Sequence, residues 1–216
     1  MKRLPPSRGF TLIEMITVVA IMILLAGLVI STAGWANRKA AMERATNEMK
    51  ALGAGIEAYK IDNGGVPQNE DTDLLDPRIH FSATGGSAGS YYHKASVYLY
   101  SALTGDFEPA KKPDGKPEPD TKAYYSFQRA QLSASRDATG AITEVNYIQD
   151  PFGSSYGYST AGLNSELEYR KMVQKNPTVA RPADKKGFNT STYDMWCTGG
   201  ATTQDGQVKW AKNWGS

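Results

Sequence analysis

One stretch of the sequence carries no charge, and it limits what the chain can fold into. From Met15 to Asn37 there is no Asp, Glu, Lys or Arg. A helix rises about 1.5 Å per residue, so about 20 residues cross the hydrocarbon layer of a membrane. The run therefore predicts a membrane-spanning helix, although the mean hydropathy of the whole chain is −0.46.

One acid, Glu14, lies at the start of this run. A carboxylate inside the bilayer costs on the order of 2.5–3.5 kcal/mol, so we expect it to have a function and a cationic partner. The alternative for Glu14 is a solvated residue at the headgroup boundary. The alternative for the run is an ordinary signal peptide cleaved before Gly34, but such a peptide has an apolar run of only about 7–15 residues.

The charges outside this segment balance. The leader holds three of the 24 basic residues, and Glu14 is one of the 22 acids, so residues 38–216 hold 21 of each. This balance does not support a basic face for nucleic acid. The only cysteine, Cys197, excludes an internal disulfide framework.

The residues around Glu14 read Arg-Gly-Phe-Thr-Leu-Ile-Glu-Met from Arg8 to Met15. This segment resembles the signature of the type IV prepilin family, which includes the pseudopilins of type II secretion systems. The resemblance implies that a prepilin peptidase cuts after Gly9 on the cytoplasmic side and that the new terminal residue, Phe10, is N-methylated. It also implies that Glu14 neutralises the amine of a neighbouring subunit and sets the register of a filament. A new α-amino group is mostly protonated near neutral pH, so cleavage supplies the missing cation.

Beyond the charge-free run, the pattern becomes that of an amphipathic helix. One apolar stripe with steps of three and four residues is formed by Met42, Ala45, Met49, Leu52, Ile56 and Tyr59. We expect this stripe to pack against a globular partner. The helix should stop at Asn63-Gly64-Gly65, which Pro67 follows.

Three further segments resemble major pseudopilins. They are Tyr59–Pro67, the Asp-Pro-Phe-Gly stretch within 150–158, and the region 193–214. The resemblance implies an α+β, pilin-like fold. In it, one long N-terminal helix, transmembrane in its first half and amphipathic in its second, packs on a small C-terminal antiparallel sheet.

The expected organisation has five parts. They are a cytoplasmic leader (1–9), a transmembrane and filament-core half-helix (10–37), an amphipathic half-helix (38–62), variable loops with a short helix (63–149), and an antiparallel sheet with a C-terminal loop (150–216). Within the last two parts, the sequence predicts a helix over 91–103 and strands over 142–148, 156–159, 193–198 and 208–214.

Cofactor and catalytic candidates are weak. Major pseudopilins bind calcium in the C-terminal loop, but 199–214 offers only Asp205, with Asp194 upstream, so no metal site is assigned. Ser87 lies in a Gly-x-Ser-x-Gly sequence, but the order of acid and histidine that a hydrolase triad needs is missing. We therefore predict no enzyme, solvated acids over 70–76, surface or loop positions for His80 and His93, and sheet and core positions for Trp196, Trp210 and Trp214.

The predicted function is that of a pseudopilin in the bacterial inner membrane, with a single span and a periplasmic C-terminal domain. Its expected partners are prepilin peptidase, copies of itself and other pseudopilins, the assembly platform with its ATPase and, indirectly, the secretin, but no nucleic acid. Two alternatives remain open. One is a type IV or competence pilin used in adhesion, motility or DNA uptake, and the other is a signal-anchored periplasmic binding protein or enzyme.

Overall fold

The computed structural model describes residues 10–83, 86–107 and 113–215, without the side chains of 28–33 and 86–88. The chain divides into two compact units, Met1–Ala41 and Met42–Ser216. Helix α1, Leu12–Asn63, supplies all the described regular structure of the first unit and continues into the second. Among the described residues, no helix combines the length and the apolar character needed to cross a membrane.

The second unit contains helices and short strands in mixed order. The further helices are α2 (Glu70–Leu74), α3 (Gly86–Thr104) and α4 (Ala161–Lys175), and two 3₁₀ turns lie at Arg129–Gln131 and Gln204–Lys209. The strands are β1 (Leu132–Arg136), β2 (Ile142–Ile148), β3 (Gly157–Ser159), β4 (Asp194–Cys197) and β5 (Ala211–Lys212). A long helix followed by antiparallel strands makes this an α+β chain.

The strands form two antiparallel sheets rather than one. Strands β1 and β2 form a hairpin with two register shifts. The other sheet has the order β3-β4-β5, with Tyr158 opposite Met195 and Trp196 opposite Lys212. Strand β2 coincides with the strand predicted over 142–148, whereas β1 was not predicted, because its sequence Leu-Ser-Ala-Ser-Arg contains no β-branched or aromatic residue.

The core of the second unit joins α1, α3 and both sheets. Fully buried aliphatic side chains from three elements meet there, including Leu52, Ile56, Leu99, Leu103 and Ile148. A second cluster centres on Trp196, with Leu75, Tyr92, Ala95 and Trp210 around it. Gly157 lies so close to Trp196 that a Cβ there would approach the indole to 2.1 Å, so only glycine fits beneath this ring.

The helix boundaries differ in part from the sequence predictions. Helix α1 ends at Asn63, where an end was predicted, and Gly64 follows with a φ of +75°. Helix α3 begins at Gly86 rather than near Tyr91. Helix α4 was not predicted, because it is mostly exposed and polar and buries only Ala161 and Gly162 fully. The acids over 70–76, expected in a solvated loop, partly form the short helix α2, which Asn69 and Thr72 cap reciprocally.

Candidate processing and assembly site

Thr11 and Glu14 form a reciprocal cap at the start of helix α1. The Thr11 backbone N–H and its hydroxyl both donate to Oε2 of Glu14, each at 2.8 Å. The Glu14 N–H donates in return to the Thr11 hydroxyl at 3.3 Å. This Thr-x-x-Glu arrangement is a capping box, which satisfies backbone N–H groups that have no partner within the helix. The sequence analysis treated Glu14 only as a charge and missed this local role, although the Thr-x-x-Glu spacing signals it.

The cap leaves part of the carboxylate available. Both bonds from Thr11 reach Oε2, and no hydrogen bond within the described part of the chain uses Oε1. Glu14 is exposed. One oxygen therefore holds the helix start while the other can accept a hydrogen bond from a cation outside the chain.

The predicted cleavage position, between Gly9 and Phe10, lies directly before this cap. Gly9 lies outside the described residues. Phe10, on the other side of the predicted cut, is 80% exposed. No contact in the described structure covers its ring, which suits a residue that meets another molecule.

The apolar surface after Glu14 is extensive. Large apolar side chains along residues 10–25 are between 44% and 80% exposed. Soluble monomers rarely expose contiguous apolar surfaces of this kind, and such a surface marks contact with lipid or with other proteins. The first unit thus presents a helical surface that needs apolar partners on several sides.

One family model matches the start of the chain. A model of the prokaryotic N-terminal methylation motif matches residues 5–30. The chain carries a prepilin-type methylation motif. This match supports the resemblance of residues 8–15 to the prepilin signature.

Curated relatives match the same motif and the helix after it. The chain is 36% identical to the type II secretion system core protein G of Klebsiella michiganensis over 64 residues, which are 30% of this chain and 45% of that protein. It is 36% identical to the core protein G of Dickeya chrysanthemi over 64 residues, again 30% of this chain and 42% of that protein. It is 33% identical to the core protein G of Vibrio cholerae over 70 residues, which are 32% of this chain and 48% of that protein. The chain thus spans less than half the length of these relatives, and no solved structure matches it.

The predicted apolar stripe lies in the second unit, where α1 meets the core. Ala45, Leu52 and Ile56 are fully buried and Met49 is nearly so. At the two ends of the stripe, Met42 and Tyr59 are partly buried, and Tyr59 stands edge-on to Tyr124. These contacts attach the helix to the sheets through a continuous apolar face.

A polar contact that the sequence analysis missed also attaches α1. The Tyr156 hydroxyl donates to Oε2 of Glu48 at 2.7 Å, and Oε1 of Glu48 pairs with Arg44 at 2.7 Å. Tyr156 is 108 positions from Glu48 in the chain. No local pattern indicates such a pair, because its partners are brought together only by the tertiary fold.

Two buried acids organise turns in the second unit. Oδ1 of Asp150 accepts hydrogen bonds from the N–H groups of Phe152 and Ser154, and Oδ2 accepts one from the Cys197 thiol at 3.1 Å. The Asp194 carboxylate accepts hydrogen bonds from the backbone N–H groups of Phe188 and Asn189. Burial raises the pKa of Asp194 to about 6, against the lowering effect of these two N–H groups. The sequence offered Asp194 only as an acid upstream of the C-terminal loop, with no metal site assigned, and in the structure its two oxygens hold a backbone loop.

The remaining candidates occupy structural positions. His93 stacks on Tyr147 at 4.4 Å, and Nδ1 of His80 accepts the Asp76 N–H. The side chain of Ser87 lies outside the description, although its backbone belongs to α3. Among the described residues, no group of three or more His, Cys, Asp or Glu side chains is arranged to hold a metal ion.

Proposed function

We propose that this chain is a pseudopilin of a type II secretion system. Prepilin peptidase cuts it after Gly9, Phe10 is N-methylated, and the mature chain joins a periplasmic filament. The single observation that carries the proposal is the methylation motif over residues 5–30. The relatives named type II secretion system core protein G support the secretion assignment over a pilin.

The geometry at the start of α1 supports a role in assembly. Thr11 occupies one oxygen of Glu14 and orients the carboxylate along the helix start. The other oxygen, Oε1, then accepts the α-amino group of Phe10 on a neighbouring copy. Opposite charges that are costly alone in an apolar setting become tolerable as a pair, so the pairing fixes how far one helix lies from the next along the filament.

The exposed apolar surface along residues 10–25 supports two successive environments. Before assembly, residues 10–37 span the inner membrane once, with the leader in the cytoplasm and the C-terminal domain in the periplasm. In the filament, the same surface packs against the helices of other copies and other pseudopilins. The stripe from Met42 to Tyr59 packs the helix onto its own domain and stays with it in both states.

In this proposal the chain is a structural subunit and catalyses no reaction. The assembly platform in the inner membrane and its cytoplasmic ATPase supply the energy for adding subunits. The growing filament then pushes exported proteins towards the secretin, which the chain contacts only indirectly.

A complementation experiment in the native host tests this function. The gene is deleted, and the wild-type chain, Gly9→Val or Gly215→Ala is returned. Gly9→Val blocks the cut, whereas Gly215→Ala is a matched control because a Cβ at Gly215 meets nothing within 4 Å. We expect the wild type and the control to restore secretion of extracellular enzymes and Gly9→Val to fail.

The alternatives give different results in the same experiment. A deletion that leaves secretion intact but abolishes motility, adhesion or DNA uptake would make the chain a pilin. A deletion that affects none of these, together with normal behaviour of Gly9→Val, would favour a signal-anchored periplasmic protein.

A further inference from the structure

A cavity of about 550 Å³ lies in the second unit between α1 and the C-terminal end of the chain. Its α1 side includes Met49 and Lys50, and its other side includes Met195, Trp210 and Lys212. All the residues that line this cavity lie from Thr46 to Trp214 in the sequence, so none belongs to the cleavage position or to the first unit. Its walls are largely apolar, but they also include three side chains with hydrogen-bond donors, those of Lys50, Lys212 and Trp210.

Two of these donors are ammonium groups. Lys50 and Lys212 line the cavity, and its lining contains no carboxylate. The nearby acid is Glu57. Burial, and then the Glu57 carboxylate, raise the pKa of Tyr193, which lines the cavity. Glu57 itself pairs with Lys60 at 3.3 Å. The cavity lining therefore carries two positive charges and no carboxylate, in a second unit that holds 19 basic and 21 acidic side chains (24 − 5 and 22 − 1 of the whole chain).

The third donor is an indole. Trp210 is 5% exposed and stacks on Trp196 with ring centroids 5.8 Å apart. Its Nε1 is the one buried side-chain nitrogen or oxygen without a hydrogen-bond partner among the described residues. A buried donor left unpaired costs about 1–3 kcal/mol, so native structures usually give it an acceptor. Because Nε1 is closed to solvent, an acceptor in the cavity reaches it only if the Trp210 ring moves towards the cavity as a ligand binds.

A strand edge borders the same cavity. Strand β5 is the last strand of its sheet, and within the part of the chain that the structure describes it pairs only with β4, through Ala211 and Lys212. Both residues also line the cavity. An open edge is a template for an extended segment, which adds to a sheet through main-chain hydrogen bonds.

From these observations we infer that the cavity binds an extended acidic peptide segment of another protein. The segment pairs with the β5 edge, its carboxylates meet Lys50 and Lys212, and one of its oxygens accepts the Trp210 N–H. Its apolar side chains lie against Met49, Met195 and Trp214. This inference does not depend on the processing of Gly9.

A peptide suits the cavity better than the other anionic ligands. Inorganic phosphate would leave the methionine and tryptophan walls uncovered and would not use the strand edge. A membrane surface cannot enter a concave site that lies between a helix and a sheet. Two lysines are also too few charges for a nucleic acid, which needs a long basic surface.

Fluorescence anisotropy on the full-length chain in detergent micelles tests the inference. The probe is a fluorescein-labelled peptide of alternating valine and glutamate, and the reference peptide alternates valine and lysine. Lys50→Gln combined with Lys212→Gln removes both cavity charges, and Trp210→Phe removes the N–H while keeping a ring for Trp196. The matched control is Lys175→Gln combined with Lys209→Gln, which removes two exposed lysines outside the cavity lining.

We expect the acidic peptide to bind and the basic peptide not to bind. The double cavity variant should weaken binding at least about tenfold, Trp210→Phe several-fold, and the control less than about twofold. A probe with N-methylated backbone amides should also bind weakly, because it cannot pair with the strand edge. Near-ultraviolet circular dichroism shows whether each variant keeps its tryptophan packing.

Four results would overturn the inference. The first is equal binding of the two peptides, and the second is unchanged binding by the folded double cavity variant. The third is displacement of the acidic peptide by inorganic phosphate or by vesicles of phosphatidylglycerol. The fourth is an absence of peptide binding together with a change only in the self-association of the double variant, which would make a second copy of this chain the occupant.

Discussion

The hydroxyl of Tyr156 donates a hydrogen bond to Oε2 of Glu48 at 2.7 Å and so fixes helix α1 to the sheet region of the second unit. Glu48 also pairs with Arg44, one turn earlier in the helix. A hydrogen bond to a charged group contributes about 1.5–3 kcal/mol, which is more than a neutral one. The contact therefore adds a directional attachment to the apolar stripe beside it.

Removing this hydroxyl should destabilise the second unit. We expect Tyr156→Phe to lower the free energy of unfolding by about 1.5–3 kcal/mol, because the ring stays in place while the charged acceptor loses its donor. Denaturant unfolding followed by tryptophan fluorescence measures the change. Tyr147→Phe is the matched control, since its exposed hydroxyl makes only a 3.3 Å contact with the Gly153 carbonyl. Equal losses in the two variants would contradict a special role for the Glu48 contact.

The apolar stripe should dominate the attachment of α1. Leu52 is fully buried, so Leu52→Ala leaves a cavity and should cost about 2–5 kcal/mol of unfolding free energy. Ile61→Ala removes an apolar side chain that is 82% exposed on the same helix and should cost less than about 0.5 kcal/mol. The same unfolding measurement compares the two. Similar costs would mean that α1 does not pack on the core through this face.

The buried Asp194 should make stability depend on pH. Its pKa is raised from 3.8 to about 6 by burial, so the folded state binds the proton more tightly than the unfolded state. Its stabilising contribution is complete below about pH 4 and is lost as the pH rises through 6. The wild type should therefore gain on the order of 1–3 kcal/mol from this group between pH 7.5 and pH 4.

Asp194→Asn isolates this contribution from the histidines. Burial lowers the pKa of His80 and of His93, and those groups change stability in the opposite direction over part of the same range. They are present in both proteins, so the stability of the wild type relative to Asp194→Asn should rise as the pH falls from 7.5 to 4. A difference that is constant from pH 7.5 to pH 5 would contradict the raised pKa.

The thiol of Cys197 should be unreactive in the folded chain. The thiol is fully buried, its pKa is raised by burial and then by the neighbouring Asp150 carboxylate, and it donates a hydrogen bond to that acid. We expect no labelling by a maleimide reagent until denaturant unfolds the second unit. Mass measurement after a timed exposure checks this, and rapid labelling without denaturant would show that Cys197 is accessible.

Glu14 should act in assembly through its charge as well as through its cap. Glu14→Gln keeps an oxygen that can accept the Thr11 N–H, whereas Glu14→Ala loses both the charge and the cap. We expect both variants to insert into the membrane and to be cleaved, and both to be lost from filaments. Formaldehyde cross-linking of membranes, followed by gel analysis of the multimer ladder, measures filament entry. Normal ladders with Glu14→Gln would mean that only the cap matters.

Local patterns in the sequence predicted the features that depend on neighbouring residues. The end of α1 at Asn63 follows from the glycines after it, and the turn at Asp150 follows from its Asp-Pro-Phe-Gly sequence. The strand over 142–148 follows from its β-branched residues, and the structure places β2 there. In each case a few adjacent side chains determine the backbone, so the prediction needs no tertiary information.

Features that depend on distant residues could not be predicted. Helix α4 buries almost no apolar face, so its sequence lacks the periodic stripe that identified α1, although the spacing of Glu166 and Arg170 is that of a helical ion pair. The two-sheet arrangement depends on which strand edges meet, and strand sequences do not specify that. The unpaired indole of Trp210 likewise appears only when the surrounding chain is in place.

The mature N-terminus is the most direct test of the central claim. The chain is expressed in its host, recovered from the membrane fraction and analysed by mass spectrometry after digestion. The proposed function predicts a chain that starts at Phe10 and carries one methyl group on its α-amino nitrogen. A chain that starts at Gly34, or one that keeps the leader uncut, would contradict it.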